Sequence, residues 1–230
     1  MLEERHLAVR RTARYYTLGP NDTSVKEVWI VLHGYGQLAG QFIRLFEQLD
    51  DGSRLIVAPE ALNRFYLVGP EAMPAAERPV GATWMTREDR DRDIDDYVAY
   101  LDSLAAGVLK AFGRTRGAAP RIVVLAFSQG TATAARWIAR GNIRPAHVVI
   151  WGGFLPPEID NAAKAPTLQH ASLHIVIGSR DDFVSPERLA EEERRLAKAQ
   201  LRYRLVRYEG GHGISREILR KVAGELTSQA

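Results

Sequence analysis

Apolar residues along this chain of 230 residues fall into two patterns. The first is a set of short, almost unbroken runs: Val28 to Leu32, Leu55 to Ala58, Ile122 to Phe127, Val148 to Trp151 and Leu173 to Ile177. Unbroken rather than alternating hydrophobicity means burial on both faces, as in a parallel sheet covered by helices. Tyr203 to Tyr208 alternates more, which suits a strand nearer an edge. The second pattern repeats at helical spacing. Ile94, Tyr97, Val98, Leu101, Leu104, Ala105, Val108, Leu109 and Phe112 form one stripe, opened by a Thr86-x-x-Asp89 capping box and closed by Gly113. Phe42, Leu45, Phe46 and Leu49 mark a second helix, and Thr131 to Arg140, closed by Gly141, a third. Ser185-Pro186-Glu187 reads as a helix start with proline at the first helical position. Ile218, Leu219, Val222 and Leu226 mark the last helix.

Strand and helix alternate throughout, without repeats or a linker. This predicts one α/β domain over 1–230, with a mostly parallel central sheet flanked by helices on both faces. One region breaks the rhythm. Asn63 to Thr86 holds Pro70, Pro74, Pro79, Gly69 and Gly81 with little periodicity, and reads as a long irregular loop.

Composition narrows the function classes. The formal charge of +3 is a mild bias, and the charges alternate in sign, as in Arg87 to Asp93. Such alternation marks a solvated helix face, so no nucleic-acid partner is expected. The chain has no cysteine, which excludes disulfides, thiolate metal sites and a cysteine nucleophile. Met1 to Tyr16 has no continuous apolar stretch, and no run approaches the roughly 18 residues that span a bilayer. The expectation is a cytoplasmic protein with no stable membrane anchor; a homodimer is compatible with the sequence.

Four segments carry chemistry, each just after a predicted strand. Ala126-Phe127-Ser128-Gln129-Gly130 lies between a buried strand and a helix, the context of a nucleophile elbow. The serine must stand on a sharp turn, and the residues two before and two after must be small because strand and helix backbones nearly touch. Leu32-His33-Gly34-Tyr35-Gly36-Gln37 can turn a backbone N–H toward a tetrahedral intermediate, its glycines allowing close approach. The candidate oxyanion donors are the N–H groups of Tyr35 and of Gln129, the residue after the serine. His33 reads as structural. Gly178 to Val184 offers a carboxylate from Asp181 or Asp182, and the spacing alone does not choose between them. Glu209-Gly210-Gly211-His212-Gly213 puts a histidine between glycines, in what reads as a mobile, exposed loop. The order Ser, Asp, His along the chain is that of α/β hydrolases. Tyr35, Trp84, Phe127 and Phe183 are the candidate pocket residues.

Leu32-His33-Gly34-Tyr35-Gly36, Phe127-Ser128-Gln129-Gly130, Gly178-x-x-Asp181-x-x-Val184 and Gly211-His212 together resemble the phospholipase/carboxylesterase family, which includes the acyl-protein thioesterases. The resemblance implies a compact α/β hydrolase without a large lid domain, acting on small-molecule esters with no cofactor or metal. It also implies that Asp181 is the acid, completing a triad with Ser128 and His212. Ala58 to Glu60 and Trp84-Met85 sit where the family has segments near the substrate. The chain departs from the family at Ala126, where glycine is usual, at Thr131 and Ser185, and along Asn63 to Thr86. The reading is therefore a serine esterase for short to medium acyl groups. The alternatives are a lysophospholipase or acyl-protein thioesterase with a long acyl slot and, from another class, a non-catalytic hydrolase-fold protein that binds a ligand.

Overall fold

A computed structural model describes residues 1–112, 119–159 and 166–228. Among these, seven strands form the main sheet: β1 (Tyr15–Leu18), β2 (Glu27–Leu32), β3 (Arg54–Pro59), β6 (Arg121–Phe127), β7 (His147–Trp151), β8 (Ser172–Gly178) and β9 (Tyr203–Tyr208). Their spatial order is β1-β3-β2-β6-β7-β8-β9. All neighbours pair in parallel except β1, which runs antiparallel to β3. The five continuous apolar runs are β2, β3, β6, β7 and β8, and β9 lies at an edge, as its alternation predicts. β2, β6 and β7 are buried along nearly their whole length, with apolar clusters against both faces.

The helices are α1 (Ala39–Phe42), α2 (Arg90–Leu109), α3 (Gln129–Arg140), α4 (Pro166–His170), α5 (Pro186–Lys198) and α6 (Arg216–Ser228). Ser185 caps α5, its side chain accepting from the Arg188 N–H. Among the described residues no helix is long and apolar enough to cross a membrane.

Several expectations are corrected. The stripe at Phe42 to Leu49 is one helical turn followed by a 3₁₀ segment, Ile43–Leu49. Its buried residues Ile43, Phe46 and Leu49 keep the three-residue spacing of that tighter helix. The capping box before α2 does not form. Asp89 adopts a left-handed backbone (φ 47°) and turns its carboxylate to His6, 3.0 Å away, while Thr86 closes a local turn on the Glu88 N–H. Gly113, the expected helix cap, lies outside the described residues. Asn63 to Thr86 is not irregular throughout, because β4 (Asn63–Tyr66) and β5 (Val80–Thr83) pair as an antiparallel ribbon. Four-residue strands with exposed positions are too short to show a period. The same reason hid β1, which is mostly exposed.

The amino-terminal edge of the sheet is locked by the buried Glu27, which accepts from Arg54, Arg121, Trp29 and Thr227. Three imidazoles are also buried: His33, His147 on β7 and His174 on β8. Burial holds each below the ordinary value of 6.5. Arg121 and His174 add to the effect on His147, and Arg204 to that on His174. The unfolded chain takes up these protons near pH 6.5, whereas the folded chain resists until lower pH. Protons therefore favour unfolding, and stability is lost as pH falls below about 6.5, at about 1.4 kcal/mol per unit of depression for each group. The urea midpoint should be flat from pH 8 to 7 and fall between pH 6.5 and 5, above the range where carboxylates protonate. Replacing both His147 and His174 by glutamine should shrink that fall; a midpoint independent of pH across this window refutes the account.

Candidate active site

Parallel strands bring their carboxyl ends to one edge of the sheet, and ligands of such sheets bind where the strand order reverses. Here the reversal falls between β2 and β6, since the chain steps outward from β2 to β3 and later returns to the other side of β2. The turn after β6 carries Ser128. Its backbone has a positive φ (φ 53°, ψ −119°), a conformation strained for any residue with a side chain. The strain turns the chain from β6 directly into α3 and leaves the hydroxyl at the strand's tip. Small neighbours make the turn possible. A Cβ at Gly130 would lie 2.6 Å from the Leu32 carbonyl oxygen, so glycine is required there. Ala126 is buried between Leu32 and Ile150 of the flanking strands.

The loop after β9 delivers His212, whose Nε2 lies 2.9 Å from the Ser128 Oγ. The Nδ1 lies 2.9 Å from Oδ2 and 3.0 Å from Oδ1 of Asp181, in the loop after β8. A carboxylate only accepts, so Nδ1 carries the proton and Nε2 offers its lone pair to the serine hydroxyl. Asp181 is buried and its Oδ1 also accepts the Phe183 N–H at 3.0 Å, whereas Asp182 is exposed. Between the two aspartates, the imidazole meets Asp181.

The His212 loop is anchored, contrary to the mobile loop its glycines suggest. The Gly213 carbonyl accepts from the Trp151 indole at 2.9 Å and from the Tyr208 hydroxyl. The Arg180 N–H donates to the Gly210 carbonyl, and a Cβ at Gly178 would lie 2.4 Å from that same oxygen. The two loops therefore close on each other at fixed distance. The imidazole lies between two aromatic rings, with Phe127 at 4.9 Å and Phe183 at 4.6 Å between centroids.

The loop after β2 lies against the serine, since a Cβ at Gly34 would come within 3.1 Å of the Ser128 Cβ. His33 fixes this loop from below. Its Nε2 accepts the Ala61 N–H at 3.1 Å, so its proton is on Nδ1, which donates to the Gly34 carbonyl at 2.8 Å. In a trans peptide the carbonyl and the following N–H point in opposite directions. Gripping the Gly34 oxygen therefore sets the direction of the Tyr35 N–H. The β4–β5 ribbon braces the same loop, with the Gly36 N–H donating to the Ala82 carbonyl. The Gln129 side chain ties the elbow to this ribbon, accepting the Trp84 N–H and donating to Thr83 Oγ1 and the Met85 carbonyl. Among the described hydrogen bonds, none engages the backbone N–H of Tyr35 or of Gln129.

Of the four expected pocket residues, Phe183 is exposed beside His212 and Tyr35 is exposed with its ring against Phe65. Phe127 is buried beneath the imidazole. Trp84 is corrected. It is 1% exposed, donates its indole N–H to the His33 carbonyl and packs on His33 and Tyr97, so it supports the loop from the core. It borders a cavity of about 850 Å³ under the N-terminal arm, which does not include Ser128.

The cavity that holds Ser128 and His212 measures about 510 Å³, within the usual range for small-molecule sites. Its further walls come from Thr131, the segment Gly152 to Pro157 after β7, and α5. Sequence reasoning missed this wall. Gly152-Gly153 after a buried strand was a usable signal: Gly152 (φ 60°) faces His212, and a Cβ at Gly153 would lie 2.4 Å from Thr131 Oγ1. The arginines of the wall carried no such signal.

A family model described as serine hydrolase (FSH1) matches residues 24–217. No curated protein matches the chain in sequence. Among solved structures, it is similar to Zea mays acyl-protein thioesterase 2, with 21% identity, TM-score 0.68, and coverage of 94% of this chain and 99% of that one. It is also similar to a Bacillus cereus carboxylesterase, with 19% identity, TM-score 0.63 and 94% of each chain covered. A phospholipase/carboxylesterase from Dyadobacter fermentans matches with 18% identity and TM-score 0.64, over 96% of this chain and 99% of that one. At such identities the likeness shows a shared α/β-hydrolase fold, as the sequence resemblance implied, and among the described residues no large lid interrupts it.

Proposed function

The chain belongs to the serine hydrolase (FSH1) family, and on that premise we propose that it hydrolyses carboxylic esters of short to medium acyl groups through an acyl-enzyme on Ser128. The observation that carries this reading is the continuous chain of contacts from Asp181 through His212 to the Ser128 hydroxyl. Ser128 Oγ attacks the ester carbonyl as His212 Nε2 takes its proton. Asp181 holds the imidazole in that tautomer and stabilises the cation. The oxyanion that forms accepts from the free N–H groups of Tyr35 and Gln129, which contributes several kcal/mol to the transition state. The intermediate then collapses, the C–O bond to the leaving alcohol breaks, and the alcohol leaves with the proton from His212. Water, deprotonated by the same imidazole, attacks the acyl-enzyme, and the carboxylic acid departs as Ser128 regains its proton.

The acyl-length preference follows from the cavity wall. Its apolar surface, from Phe183, Val184, Phe154, Leu155, Pro156 and Pro157, is broken by Arg136, Arg188, Arg195 and Glu192 instead of continuing as a long slot. Each buried methylene contributes about 0.8 kcal/mol only while it meets apolar surface. One feature favours the long-chain alternative: Tyr35, Tyr66, Leu67 and Val80 are exposed on and beside the ribbon. The two readings separate in a series of p-nitrophenyl esters from acetyl to palmitoyl, assayed below their aggregation limits. The specificity constant should rise over the first few carbons and level off by about octanoyl. A rise continuing to palmitoyl favours the lysophospholipase or thioesterase reading, and no turnover of any ester favours the binding-protein reading.

A further inference from the structure

The charges around the cavity do not balance. Three arginines line it, Arg136, Arg188 and Arg195, against two glutamates, Glu191 and Glu192. The two carboxylates each have a cation: Glu191 pairs with Arg194 at 2.6 Å and Glu192 with Arg195 at 2.7 Å. Arg136 is held by Glu158, also at 2.6 Å. Arg188 is the exception: among the described residues no ion pair involves it.

Its guanidinium is nonetheless held in place. One nitrogen donates to the Phe183 carbonyl at 2.8 Å, and the group lies 5.7 Å from the centre of the Phe154 ring. Phe183 is also the residue whose ring packs on His212. A positioned arginine with donors to spare therefore lines the same cavity as the nucleophile, beside the ring that shields the general base. A guanidinium has five N–H donors in a planar fork that matches a carboxylate, and here one is shown in use.

We propose that Arg188 is a specificity-determining residue that binds an anionic group, a carboxylate in particular, borne by the ester substrate a few atoms from the scissile carbonyl. This rests on the esterase reading above and names its substrate class: half-esters and other carboxylate-bearing esters in place of plain fatty acyl esters. It accounts for the arginines that interrupt the apolar part of that wall.

The test compares two pairs of substrates on the full chain. Mono-p-nitrophenyl adipate and p-nitrophenyl heptanoate have nearly equal lengths and differ in the terminal carboxylate. 4-Acetoxybenzoate and its methyl ester put the charge on the leaving group instead. The readout is the ratio of kcat/KM, charged over neutral, within each protein, so any general loss in a variant cancels. For one of the two pairs the ratio should fall about tenfold in Arg188→Gln and further in Arg188→Glu, while Arg188→Lys recovers part of it. In the wild type the same ratio should fall as sodium chloride is raised from 20 to 300 mM, because Arg188 is exposed to solvent. Ratios in both pairs that are unchanged by Arg188→Gln and by salt overturn the proposal. Failure of the wild type to cleave any of the four esters would instead strike at the esterase reading.

Discussion

Ser128→Ala should lower the hydrolysis of p-nitrophenyl esters by about 10⁴-fold or more and abolish labelling by a fluorophosphonate probe. The effect is this large because the substitution removes a reaction route rather than a contact. Among the described residues, the Ser128 hydroxyl is the nucleophile that meets the His212 Nε2, at 2.9 Å. Without it, the imidazole can act only on a water molecule held by chance in a site built for serine. The proposed oxyanion donors, the N–H groups of Tyr35 and Gln129, survive the change, so any residual rate reflects what they and substrate binding contribute together. The elbow itself should persist, since its geometry comes from the β6–α3 turn and from Gly130 against the Leu32 carbonyl. Unfolding by urea should therefore show a midpoint close to that of the wild type. Near-normal turnover in a folded Ser128→Ala protein would remove the acyl-enzyme mechanism altogether. Labelling at a second serine would show that the site lies elsewhere.

The parts of this site that the sequence made legible share one physical property. Ser128, the His33 loop, Asp181 and His212 each follow a parallel strand legible from its apolar pattern, continuous in the first three and alternating in β9, and parallel strands deliver their carboxyl ends to one edge. Reading the strands thus placed four loops together without any knowledge of distances. Choosing Asp181 over Asp182 needed the family resemblance, because adjacent residues in a loop differ only in which way the chain turns them. The turn is set here by the Phe183 N–H on Asp181 Oδ1. What sequence could not supply came from packing between distant segments. Trp84 is aromatic and near a motif, yet its indole N–H is satisfied by the His33 carbonyl in the core. The wall of the cavity joins the loop after β7 to α5, where Leu155 N–H meets Glu192 and Arg195 meets the Leu155 carbonyl. No local pattern announces such a meeting. The capping box before α2 failed for a related reason, since the N-terminal arm supplies His6 as a competing partner for Asp89.

Asp181→Asn should reduce turnover by about 10³- to 10⁴-fold, while Asp182→Asn should cost much less. The asymmetry follows from the hydrogen bonds around the carboxylate. Oδ1 accepts the Phe183 N–H at 3.0 Å, and Oδ2 is the oxygen closer to His212 Nδ1, at 2.9 Å. An asparagine must keep its carbonyl oxygen on the Phe183 N–H, because two N–H donors cannot face each other there. Its amide NH₂ then takes the place of Oδ2 and points at Nδ1. Facing a donor, the imidazole turns Nδ1 into its acceptor and carries its proton on Nε2. The N–H then faces Ser128 Oγ, and no lone pair remains to take the serine's proton. The geometry survives and the chemistry does not, so substrate binding should change little while kcat falls. Asp182 is exposed and the imidazole does not meet it, so its amide leaves the tautomer of His212 untouched. The two variants, each assayed for kcat and KM on the same ester, give the ranking directly. If Asp182→Asn proved the more damaging, the carboxylate that orients His212 in solution would be the other one, and the contact from Asp181 to Nδ1 would not be the catalytic arrangement.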